Sequence, residues 1–123
     1  MKKETLFKFI KDTYGVEPDY PWFDENGVVR HRDTGKWFGV IMNISAGKLG
    51  LNSEKKIDIL NTKCDFSLIG SLRGKKGYYP AYHMNKTNWI TIDIENVKDD
   101  EIKMLLDISY ELTKKKTIKN RRG

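Results

Sequence analysis

The stretch Gly77-Tyr78-Tyr79-Pro80-Ala81-Tyr82-His83-Met84-Asn85-Lys86-Thr87-Asn88-Trp89-Ile90-Thr91-Ile92-Asp93 holds three tyrosines, a tryptophan and one of the chain's two histidines, and no acid before its last residue. Its second half alternates: Ile90, Ile92 and Ile94 fall on one side of a strand, and Trp89, Thr91 and Asp93 on the other. A strand with one greasy and one mixed face belongs to a sheet covered on one side. Gly77–His83 reads as the strand before it, with Met84–Thr87 as the turn of a hairpin.

Outward toward the N-terminus, Asp65 is a natural N-cap for a short helix over Phe66–Arg73, closed by Gly74. Lys56–Asn61 suits a strand. Val28–Arg32 and Lys36–Ile44 form a second hairpin about Asp33-Thr34-Gly35. Strict alternation assigns Phe38, Val40, Met42 and Ile44 to the core and Trp37, Gly39, Ile41 and Asn43 to the opposite side. Ser45–Leu51 is a loop or a continuation of the edge. Residues 4–14 put Leu6, Phe9 and Ile10 on one helical stripe with Phe7 and Tyr14 beside it, and Gly15 ends the helix. Val16–Gly27, with two prolines, is a connecting loop. Toward the C-terminus, Asp99 or Asp100 opens a helix that buries Ile102, Leu105, Leu106, Ile108 and Leu112 and runs to about Lys115.

The order α-β-β-β-α-β-β-α predicts an α+β fold: a single, largely antiparallel twisted sheet of about five strands with helices packed on one face. One domain over 1–116 is expected, followed by a basic tail, 117–123, without fixed structure. The far face should be wet, and its side chains are the candidates for function.

Composition narrows the function classes. The 123 residues are 33% charged and 38% hydrophobic, the balance of a wet-surfaced globular domain. No apolar run approaches the ~20 residues of a spanning helix, so a cytoplasmic protein without a membrane partner is expected. Cys64 is the only cysteine and His31 and His83 the only histidines, which leaves no metal-ligand spacing, and no cofactor is expected. GxGxxG, GxxxxGK[ST] and HExxH are absent.

The net charge of +6 is a tail effect, since the bases beyond Thr113 account for all of it. Within the body, 66–92 carries Arg73, Lys75, Lys76 and Lys86 and no acid, whereas 17–25 carries Glu17, Asp19, Asp24 and Glu25 and no base. Cations beside exposed aromatics are what single-stranded nucleic acid requires, phosphates meeting charges while bases stack on rings. On this reading Arg73, Lys75, Lys76 and Lys86 neutralise phosphates with Lys114, Lys115, Lys116, Lys119, Arg121 and Arg122. Tyr82 and Trp89 stack, and His83 and Asn85 complete the surface. Trp37 is a further candidate for the open face, and Arg30, His31 and Arg32 put donors at a hairpin tip that can act as a wing. The same aromatics can instead pack in a small second core, Asn85 can simply form a turn, and His83 can satisfy a backbone group. An enzyme with His83 as base lacks any nucleophile or orienting carboxylate at a telling spacing.

At Tyr82-His83-Met84-Asn85-Lys86, with Trp89 three residues on and Ser109-Tyr110-Glu111-Leu112 in the last helix, the chain resembles the MmcQ/YjbR family from the first helix to about Lys116. The resemblance implies a fold related to frataxin and secretion chaperones, a DNA-binding role proposed from wing-like hairpins, and no known catalysis. It assigns no role to Tyr82, His83, Asn85, Lys86 or Trp89. Frataxin-like iron binding is not expected, because the first helix offers only Glu4 and Asp12.

The leading expectation is therefore a non-enzymatic DNA-binding protein, monomeric or weakly dimeric. Its rival is a chaperone-like adaptor that holds a protein partner on the open sheet face.

Overall fold

The computed structural model describes residues 1–115. Helix α1 spans Lys3–Tyr14 and stops where Gly15 takes φ 70°, a left-handed conformation that costs glycine nothing. Strands β1 (Gly27–Arg30) and β2 (Trp37–Ser45) lead through a 3-10 turn, Ala46–Leu49, into β3 (Lys56–Lys63). Then come α2 (Phe66–Leu72), β4 (Tyr78–Pro80), β5 (Trp89–Asp93) and α3 (Asp99–Thr113). Asp65 caps α2 as expected, its Oδ1 accepting from the Leu68 amide at 3.1 Å. Among the described residues no helix is long and apolar enough to cross a membrane.

The five strands lie in the order β1-β2-β3-β5-β4, every neighbour antiparallel. The crossover through α2 carries the chain past the place of β5 to the edge, and β5 returns between β3 and β4. This is the α+β sheet the sequence predicts. Leu6 and Ile10 of α1, Ile69 and Leu72 of α2, and Ile102, Leu105 and Leu106 of α3 share one core with Leu60, Ile90, Ile92 and Ile94. All three helices therefore cover one face, and the isoleucine parity of β5 holds.

The parity of β2 does not. Gly39 lies opposite Val29 but Trp37 lies opposite Arg30, so β2 takes two steps for one of β1. This bulge breaks the alternation. Phe38 faces the helices, its ring 5.4 Å from that of Tyr14 and 4.9 Å from that of Tyr110. Gly39 faces them too: a Cβ there would meet Val29 Cγ2 at 2.8 Å and Leu106 Cδ1 at 3.6 Å. Val40, Met42 and Ile44 consequently point away from the main core, on the same side as Trp37, and Ile41 points into it.

Helix α3 also differs in detail from the sequence reading. Leu112 is exposed, and Ser109 and Thr113 take the buried positions. Both are small enough to lie against backbone and both find partners. Ser109 Oγ donates to the Phe38 carbonyl at 2.7 Å and accepts from the Lys63 amide at 2.8 Å, tying the helix to β2 and β3 at the bulge. Thr113 Oγ1 donates to the Ser109 carbonyl and receives His31 Nε2 at 2.8 Å. His31 is therefore a buried residue rather than a donor at a hairpin tip.

Removing the Ser109 hydroxyl strands a buried carbonyl and a partly buried amide together. Ser109→Ala should lower the unfolding free energy by about 1–3 kcal/mol, read as a lower urea midpoint at unchanged slope; an unchanged midpoint would show that the bridge contributes nothing.

Candidate functional site

The far face of the sheet is not wet. Val28, Val40 and Ile59 are fully buried there, and so are the polar side chains of Asn61 and Thr91. Two loops roof it. The α1–β1 connection runs alongside β1, with Asp19 and Val28 exchanging both backbone hydrogen bonds at 2.9 and 2.8 Å. The β4–β5 connection, Ala81–Asn88, replaces the expected tight turn: β4 ends at Pro80, and the chain leaves the ladder to cross the face.

Buried polar groups hold that crossing. The Tyr82 amide donates to Thr91 Oγ1 at 2.8 Å, Thr91 Oγ1 donates to Asn61 Oδ1, and Asn61 Nδ2 donates to the Tyr82 carbonyl at 3.1 Å. One residue's amide and carbonyl are thus both fixed by two side chains from adjacent strands. His83 then takes φ 58°, a left-handed conformation that histidine tolerates better than most residues. Its ring stacks on Tyr82 with centroids 4.0 Å apart and planes 12° from parallel. Asn85 closes the turn by accepting from the Thr87 amide at 2.8 Å.

Between the two roofing loops lies a groove of about 550 Å³. Val40, Met42 and Ile44 form its floor, Trp22 and Trp37 one wall, and Tyr82, His83 and Met84 the other. The two indoles meet edge to face, centroids 5.8 Å apart. Arg30 backs Trp37, its guanidinium 5.9 Å from the ring centroid and paired with Asp19 at 2.9 Å. Tyr82 and His83 also line a second, smaller cleft of about 230 Å³, whose other lining residues include Lys48 and Lys86. Asp24 and Asn26 line the groove itself, so the groove carries an acid and the adjoining cleft two bases.

The residues expected to bind phosphate do not form one cluster. Arg73, Lys75 and Lys76 are exposed on the connection entering β4 at Tyr78, opposite Ile92. Trp89 sits at the far end of β5, opposite Lys63 and half-buried, about 10 Å of strand away at ~3.4 Å per residue. Lys86 pairs spatially with Lys48, a residue the sequence reading passed over. Tyr82 is half-buried, and His83 and Asn85 are exposed. Lys114 is engaged with Glu111 at 3.0 Å and, with Lys115, lines a separate cleft beside His31 and Arg32. Lys116, Lys119, Arg121 and Arg122 lie outside the described residues. Trp22, Met42 and Met84 were missed: Trp22 sits in a loop without periodicity, and the bulge hid Met42.

Burial pushes the Cys64 thiol up to about 11, leaving it a protonated core residue at neutral pH. The Tyr78 phenol is raised by burial and by its 2.7 Å hydrogen bond to Glu101. Among the described residues no three His, Cys, Asp or Glu side chains gather as a metal site.

The family model described as YjbR matches residues 11–112. The chain belongs to the YjbR family. A curated relative, the uncharacterized protein YyaQ of Bacillus subtilis (strain 168), is 41% identical over 117 residues, covering 93% of this chain and 99% of its own. The crystal structure of a Pseudomonas syringae protein superposes on this YjbR chain with a TM-score of 0.90 at 39% identity, covering 93% of this chain and all of that one. A Deinococcus radiodurans protein, at 24% identity and a TM-score of 0.62 over 85% of this chain and 74% of its own, shares the fold.

Thr91→Val keeps the shape and removes the hydroxyl that joins Asn61 to Tyr82. The loss should be about 1–3 kcal/mol of stability together with increased tryptophan exposure, read by acrylamide quenching; wild-type stability and quenching would mean that the loop is held by something else.

Proposed function

We propose that this YjbR-family chain is a non-enzymatic interaction protein that seats an apolar anchor of a protein partner in the groove between the Trp22 and Tyr82 loops. The observation that carries this reading is the groove's polarity. Its floor and walls are aliphatic and aromatic, Asp24 lines it, and Lys48 and Lys86 line the adjoining cleft that shares Tyr82 and His83 with it. An apolar anchor gains about 25 cal/mol for each Å² removed from water, and an acid in the groove with bases in the adjoining cleft would fix the direction in which a segment spanning both lies. A polypeptide can match both signs. A nucleic-acid strand would bring phosphates against Asp24 and the exposed Glu25.

A second reading, DNA binding, has its own support. Arg73, Lys75, Lys76 and Lys86 are all exposed, and among the described residues none of the four forms an ion pair. In that reading they would hold phosphates while Tyr82 and Trp89 stack on bases.

Selection of random short peptides against the full chain separates the two. The docking reading expects enriched peptides with an aromatic or aliphatic anchor, whose binding weakens at least about 10-fold in Met42→Lys, a change that places a charge in the apolar floor. Enriched peptides indifferent to Met42→Lys, or no enrichment, would contradict it. Titration with oligo-dT reads the alternative: affinity falling with log salt at about 0.7 per phosphate engaged, and insensitive to Met42→Lys, would favour DNA.

A further inference from the structure

Phe23 is 98% exposed and holds φ 59°. A bulky L residue adopts that backbone only at a cost, so the loop is strained at the residue whose ring stands in water. Trp22, immediately before it, lines the groove against Trp37. A knob therefore stands on the rim of a hole.

We propose that the groove's occupant is Phe23 of a second copy of this chain, in a twofold dimer where each copy's Phe23 enters the other's groove. This rests on the groove being a protein-docking site and names the partner. A twofold contact needs a patch complementary to itself, and an exposed knob whose neighbours Trp22 and Asp24 both line the hole can meet that condition. The charges agree with it. Asp24 and Glu25 follow Phe23 and are exposed, and Lys48 and Lys86, also exposed, line the cleft that adjoins the groove at His83. Insertion of Phe23 brings the acidic rim of each copy toward the basic cleft of the other. Tyr20 and Trp22, 43% and 47% exposed, widen the apolar rim around the knob, the arrangement of an aromatic anchor ringed by weaker contacts.

Sedimentation velocity on the full chain between about 10 µM and about 1 mM, the range where micromolar to sub-millimolar dimers change population, tests this directly. The dimer fraction should rise with concentration. Phe23→Asn, which accepts the left-handed backbone, should weaken association at least about 30-fold, as loss of an anchor does, without lowering the unfolding midpoint. Asp24→Lys with Glu25→Lys should also weaken it, and adding Lys48→Glu and Lys86→Glu to the same chain should restore it. A wild type that stays monomeric at about 1 mM, or a Phe23→Asn chain that dimerises as well as wild type, overturns the proposal. Peptide selection on Phe23→Asn keeps the two readings apart: anchored peptides bound by that variant beside a monomeric wild type would end the dimer while leaving the docking groove standing.

Discussion

Asn61 and Thr91 are polar side chains buried on the far face of a sheet, and such groups are tolerated only when their hydrogen bonds are made. Here the partner is backbone: the amide and carbonyl of Tyr82. That closed set turns the β4–β5 connection from a hairpin turn into a strap across the sheet. The strap supplies Tyr82, His83 and Met84 as one wall of the groove, and without it Val40, Met42 and Ile44 would be a bare apolar surface. The groove follows from the need to satisfy two buried side chains.

The bulge at Phe38 is the second constraint. By giving the helices two consecutive residues, Phe38 and Gly39, it turns the next odd and even positions over. Ile41 completes the main core, and Val40, Met42 and Ile44 become the floor of the groove. The Phe38 carbonyl is answered by Ser109. One irregularity in a strand and one serine in a helix thus decide which side chains are available to a partner. In the last helix, the residues that mark the family resemblance are architectural: Ser109 bridges two strands, and Tyr110 packs against Tyr14, His31 and Phe38.

The order of elements was legible because it depends on periodicity and punctuation. The stripe of Leu6 and Ile10, the cap at Asp65, the glycine after Tyr14 and the alternation of Ile90, Ile92 and Ile94 are local signals, and each appears in the structure where its residues put it. The face assignment of β2 was not legible, since a bulge is a property of pairing and leaves the strand's own pattern intact. Nor was the covering of the far face. Alternation marked Thr91 as outward-facing, but burial of that face depends on loops that carry no period. The candidate site suffered most from this: Tyr82, His83 and Lys86 line the groove or the adjoining cleft, whereas Arg73, Lys75 and Lys76 sit at the opposite end of the strands from Trp89. Proximity in sequence stood in for proximity in space, and a strand traversed end to end separates what the sequence keeps together.

Amide hydrogen exchange reads the strap directly. The Tyr82 amide is tied to a fully buried hydroxyl, while among the described residues the amides of His83 to Lys86 have no hydrogen-bond acceptor. If the strap is pinned where the structure has it, the Tyr82 amide exchanges as slowly as the amides of β5 while its followers exchange orders of magnitude faster. A Tyr82 amide that exchanges at the rate of His83 and Met84 would mean the loop lifts freely from the sheet, and the groove with it.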